Sequence, residues 1–160
     1  QDAGKRIGVI VTRATIGSGV YERLLKESGI REVISESCPL FVPLVEENWS
    51  KKAETKKIAR QYLQSIRRAQ VDALILGCTH YPFLADIIRA SLQKRVEIID
   101  SPSALMDRLE SEAPDVLDGS NRQHYYFTDP SPRIKQIAES WLKKGIEIKS
   151  AELKNLSAEA

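Results

Sequence analysis

A chain of 160 residues, 42% of them apolar, can fill the core of one compact domain, or of one domain with an appendage. Its 24 basic and 22 acidic residues are interspersed and leave a formal charge of +2, so no electrostatic argument favours nucleic acid or an anionic membrane as partner. No apolar run approaches the length of a membrane span, and the opening "QDAGKR" has no secretory layout and reads as an arbitrary beginning.

Lys5–Thr12 is a β-branched run, expected as a buried strand. "RATIGSGVYERLLKES" predicts a helix with Ser18 as N-cap, Val20, Tyr21, Leu24 and Leu25 on its inner face, and Gly29 as its stop. "REVISESCPLFVPLVEE" reads as extended: a short strand near 32–35, then a loop ending near Glu46, because Pro39 and Pro43 forbid one long central strand. From Ser50 to about Ala69 the pattern is helical, with Ile58, Tyr62, Leu63 and Ile66 inward. "DALILG" is a second buried strand. Pro82 opens a helix to about Gln93 that turns Leu84, Ile87, Ile88 and Leu92 inward. "VEIID" is a further strand and "SALMDRLESEA" a further helix.

Apolar strands alternating with helices predict an α/β fold, a parallel sheet covered on both faces in three Rossmann- or flavodoxin-like layers, over residues 5–114. Beyond Pro114 the texture changes. "DVLDGSNRQ" reads as a polar loop, "HYYFTDPSP" as an aromatic strand with a turn, and Arg133 to Lys144 as an amphipathic helix carrying Trp141. With a last short strand these form a strand–helix segment over 115–149, followed by a frayed tail over 150–160.

Chemistry concentrates where "LILG" ends. In a parallel α/β sheet ligands gather outside the carboxyl ends of the strands, where Gly77, Cys78, Thr79 and His80 fall. A helix beginning there favours an anion, either a substrate carboxylate or the Cys78 thiolate. His80 can exchange a proton with that thiol or with a substrate amine. Taken alone, a cysteine at a strand end is more often packing. A metal site is poorer still, since Cys-x-His lacks a second ligand pair and the chain has only two histidines. Two cysteines, Cys38 and Cys78, make no disulfide framework, so a reduced, cytoplasmic setting is expected.

"LILGCTHYPFL" resembles the second cysteine motif of the glutamate racemases, in the aspartate/glutamate racemase superfamily. "IGVIVTRATIGSGVY", "CPLFVPLVEENW", "VEIIDSPSAL" and "YYFTDPSPRIKQIAESWL" resemble other segments of that family in the same order, from about Lys5 to Leu142. The resemblance implies a cofactor-independent enzyme without pyridoxal phosphate or metal, which interconverts L- and D-glutamate with two thiols on opposite faces of the α-carbon, for peptidoglycan synthesis. It makes Cys78 one of the two thiols, with His80 assisting it and Glu46 assisting the same thiol. It assigns substrate contacts to Thr79, Thr15 and Thr12. Without it, Thr12, Thr15 and Ser18 could simply cap helices and turns, and Glu46 beside Glu47 could be surface charge. Cys38 matches no catalytic cysteine and reads as packing.

Two departures stand out. Val11 occupies a position where the family usually has glycine. The first-half Asp-Ser-Gly, Tyr-Gly and Cys-Asn-Thr motifs are absent from the 160 residues. The partners implied are glutamate and a missing first-half domain or a second chain, with a homo-oligomer as a further possibility. The chain alone is expected to be inactive, and the segment from Tyr125 to Trp141 to lack its usual cover. The alternative is a non-catalytic truncated module that binds a small carboxylate or a partner protein.

Overall fold

The computed structural model describes residues 4–93, 95–117 and 123–152, in two compact units divided between Pro114 and Asp115. The tail beyond residue 152 and residues 118–122 of the polar loop lie outside the described residues.

The first unit is an α/β layer structure on a four-stranded sheet of order β2-β1-β3-β4. The strands are β1 (Arg6–Val11), β2 (Glu32–Ser37), β3 (Ala73–Leu76) and β4 (Glu97–Asp100). All pairings are parallel, with Val9 opposite both Ser35 and Ile75, and Ile75 opposite Ile99. This is the start of a flavodoxin-like strand order, and its switch point lies between β1 and β3. Alternation along the strands sorts the core. Ile7, Val9 and Val11 pack with Ile30 and Ala73 and with the half-buried Ile16, Tyr21 and Leu25 on one face. On the other face Gly8 lies against Leu74 and Ile66.

Several local outcomes differ from the sequence expectation. Thr12, not Ser18, caps the first helix, α1 (Arg13–Ser18), accepting from the Thr15 amide. Gly19 at φ 62° then breaks the chain into a second helix, α2 (Val20–Glu27), and Leu24 faces outward at 49% exposure. The left-handed glycine allows a bend that a continuous apolar face does not reveal. Gly29, at φ 88°, follows α2 as expected. β2 runs to Ser37, beyond the predicted end. The presumed loop contains helix α3 (Phe41–Glu46), because Pro43 falls in its first turn, where no amide donor is needed. The helix predicted over 50–69 is two, α4 (Ala53–Tyr62) and α5 (Gln64–Ala69), joined at the buried Leu63. Ile58 and Tyr62 are half-buried, while Thr55, Ala59 and Ile66 are buried.

After β3 a 3₁₀ turn (Tyr81–Leu84) precedes α6 (Ala85–Ser91). The α-helical amides therefore begin at Ala85, and the argument that a helix dipole starts at Cys78 does not hold. Helix α7 (Ser101–Glu112) follows β4, its first turn capped by the Asp100 carboxylate.

The second unit is a small βαβ element. β5 (Tyr125–Phe127) pairs in parallel with β6 (Ile148–Ser150), and α8 (Pro132–Leu142) connects them. Ser131 caps α8 and Pro132 sits in its first turn. Tyr126 and Leu142 are exposed. Among the described residues no helix is long and apolar enough to cross a membrane.

Candidate active site

The site is built on the carboxyl ends of β1 and β3. The ladder continues past β3 through the Gly77 amide, which donates to the Ile10 carbonyl at 2.9 Å. A side chain on Gly77 would meet Val11 Cγ1 at 2.6 Å and the Tyr21 ring at 3.0 Å. Only glycine fits, because Val11, itself buried in the core, and the Tyr21 ring crowd the position. Beyond Gly77 the chain leaves the sheet in a tight turn. The Tyr81 amide donates to the Cys78 carbonyl at 3.1 Å, and the Phe83 amide to that of His80 at 3.2 Å. Cys78 and His80 are half-buried on this turn, and Thr79 is exposed.

The structure brings the three expected catalytic candidates together. Cys78 Sγ faces His80 Nδ1 at 4.0 Å. His80 Nε2 lies 3.4 Å from Glu46 Oε1, which is delivered by the last residue of α3. Glu46 thus reaches the thiol through the imidazole. With Nε2–H directed at the carboxylate, Nδ1 is the basic nitrogen and can accept the thiol proton; the imidazolium that forms then faces a carboxylate. Both contacts are at the long end of hydrogen-bond range.

Cys38 has the opposite surroundings. It is wholly buried, and burial, with the Glu36 charge adding to it, pushes its thiol up to about 12. At neutral pH it is an inert packing group.

The substrate-binding candidates are less convergent. The Thr12 and Thr15 hydroxyls are 2.9 Å apart and serve as the α1 cap. They lie at the end of β1, the strand next to β3, where the two hydroxyls bond each other. Among the described residues no group of three His, Cys, Asp or Glu side chains is placed to hold a metal ion. An open cleft of about 440 Å³ lies elsewhere, lined by Arg6, Lys26, Arg31 and Glu32. Arg6 and Glu32 begin their strands, so that cleft sits at the amino end of the sheet, away from the thiol.

Sequence reasoning missed Tyr81. Its ring is fully buried and its hydroxyl contacts the carbonyls of Val11 at 2.9 Å and Cys38 at 3.1 Å. Phe41, the first residue of α3, stacks edge-on against it with centroids 5.3 Å apart. The only signal for this role was a bulky phenol directly after His80 in a turn otherwise too short to bury it.

Compared with known proteins, residues 1–109 match the family described as Asp/Glu/hydantoin racemase. The chain belongs to that family. Among racemase relatives, the glutamate racemase of Aquifex pyrophilus is 42% identical over 95% of this chain and 58% of its own length. The solved structure of a glutamate racemase isoform from Bacillus anthracis superimposes with a TM-score of 0.77 at 32% identity, over 92% of this chain and 57% of that one. That of the Francisella tularensis enzyme, solved in complex with D-glutamate, gives 0.74 at 28% identity, over 92% and 58%. The racemase fold is therefore shared, and the chain spans a little under three-fifths of the length of these relatives.

Proposed function

We propose that this chain is the part of a glutamate racemase that supplies one of two opposed thiols, Cys78, and that a protein of these 160 residues alone does not racemise glutamate. The observation that carries the reading is the alignment of Cys78, His80 and Glu46 on the ligand-bearing rim of a racemase-family sheet.

His80 Nδ1 takes the thiol proton, and the Cys78 thiolate removes the α-proton of the amino acid. The C–H electron pair stays on the α-carbon, delocalised toward the substrate carboxylate. A thiol on the other face returns a proton to that carbon, which inverts it and leaves a thiolate there. The carbanion-like transition state needs fixed donors; Thr79, exposed next to Cys78, and the Thr12–Thr15 pair at the adjacent strand end are the candidates to hold the carboxylate and amine. No cofactor enters. The second thiol cannot be Cys38, which is sealed in the core with its proton held. It must come from a first-half domain or another chain. The product, D-glutamate, serves peptidoglycan synthesis in this reading.

The test is exchange of the glutamate α-hydrogen in deuterated water. The chain alone should show no steady racemisation. Mixed with a separately expressed first half of a glutamate racemase, it should catalyse exchange that Cys78→Ala abolishes. Steady turnover by the chain alone, or complemented exchange that survives Cys78→Ala, overturns the reading.

A further inference from the structure

The catalytic contacts span two elements with no covalent reason to stay in register. Cys78 and His80 ride on the turn after β3, and Glu46 ends α3, which follows β2. Tyr81 joins both to the central strand. Its amide donates to the Cys78 carbonyl, which closes the thiol-bearing turn. Its hydroxyl reaches the last carbonyl of β1, at Val11, and the Cys38 carbonyl, at the entrance to α3. Its ring meets Phe41, the first residue of α3. We infer that Tyr81 is a positioning residue, whose hydroxyl sets the distance of His80 from Glu46 and from Cys78 by tying the turn after β3 to the ends of β1 and β2.

Two features suit the hydroxyl to this. Burial first, then the nearby Cys38, Cys78 and Tyr62, raise the phenol well above its ordinary range, so it stays a donor throughout the working pH range. The carbonyls it contacts each have another donor: the Cys38 amide on Val11 at 2.9 Å and the Phe41 amide on Cys38 at 3.1 Å. Removing the hydroxyl therefore orphans neither carbonyl, and Tyr81→Phe should remain folded.

The inference rests on the proposed use of Cys78 and His80, but its test uses no glutamate. The probes are the pH profile of Cys78 alkylation by iodoacetamide and the ¹⁵N signals of the His80 ring, in the full chain. Tyr81→Phe should keep a cooperative unfolding transition, lower Cys78 alkylation at neutral pH about two- to fivefold, and move the His80 ring signals from one tautomer toward a mixture. A folded Tyr81→Phe chain with both readouts unchanged overturns the inference. If Tyr81→Phe fails to fold, 3-fluorotyrosine at position 81 keeps ring and hydroxyl while strengthening the donor; ring signals that do not respond to it overturn the inference equally. Failure of the racemase reading shows elsewhere, as His80→Gln without effect on alkylation or absent complementation.

Discussion

Cys38 and Cys78 end the two strands that flank β1, on the same rim of the same sheet, yet they have different chemistry. The Cys38 amide is still in the ladder, bonded to the Val11 carbonyl at 2.9 Å. Next come Pro39 and Leu40, then Phe41 opens α3, its amide donating to the Cys38 carbonyl at 3.1 Å, and the Cys38 thiol is wholly buried. Cys78 stands one residue later relative to its strand, because Gly77 takes the last ladder position. Polar Thr79 and His80 follow, and the thiol stays half-exposed facing an imidazole. What makes one thiol available is its place in the register and the residues of the turn, since rim and residue type are shared.

The sharpest way to break this contrast is to label the native chain. A short iodoacetamide pulse at neutral pH, read by peptide mass mapping, should modify Cys78 at least about 100-fold faster than Cys38, since Cys78 is half-exposed while Cys38 is buried and its thiol pushed up to about 12. Comparable rates would mean that the rim opens at Cys38 as well.

The second test attacks the residue that displaces Cys78 from the ladder. Gly77→Ala forces a methyl to within 2.6 Å of Val11 Cγ1 and 3.0 Å of the Tyr21 ring, both packed in the core beneath the rim. The expected cost is about 3 kcal/mol in urea unfolding, typical of overpacking. In a Val11→Gly background, itself destabilised by the lost core side chain, Gly77→Ala should cost less than half as much, because the closest contact is with Val11. Full cost in that background would show that Gly77 is required by its backbone and not by its neighbour.

That pair also shows what was legible in the sequence. The strands could be read because each is a short apolar run, and the motif around Cys78 because its residue types are unusual at a strand end. The contact between Val11 and Gly77 joins positions sixty-six apart in the chain, and no periodicity encodes it. Helix α3 was obscured by Pro43, a residue that breaks helices except in the first turn, where it lies here. Glu46 was flagged through resemblance, but its route to the thiol through His80 Nε2 depends on that unpredicted helix. Tyr81 drew no reading from the sequence, since its hydroxyl contacts join the ends of β1 and β2, which only the fold brings beside the turn after β3.

A third test uses alkali. Below pH about 9 both the folded and unfolded chains keep the Cys38 proton, and it contributes nothing to the slope. Above that the unfolded thiol ionises while the buried one holds its proton until about 12, so the unfolded state binds fewer protons and stability falls as pH rises. The Tyr81 phenol, also raised by burial, acts in the same direction at higher pH. Stability should drop by roughly 1 kcal/mol per pH unit in this window, and Cys38→Ala should remove the earlier part of the slope. An unchanged slope in that variant would mean that Cys38 is not desolvated in solution.

The smallest expected effect concerns the contact between Glu46 and His80. Glu46 is 41% exposed and His80 25%, so water screens their attraction, and the charge of Glu46 contributes modestly. Glu46→Gln keeps a similar shape but removes the carboxylate charge beside His80 Nε2. Alkylation of Cys78 at neutral pH should fall by about two- to threefold, with Cys38 still silent. Glu47, the neighbouring acid, lies outside the helix and is exposed. Glu47→Gln changes the net charge identically, so it separates a contact from a general field. If the two variants slow Cys78 equally, Glu46 acts only as surface charge; if Glu46→Gln alone does so, the difference between the two cysteines extends through His80 to a carboxylate on α3, the helix that follows Cys38.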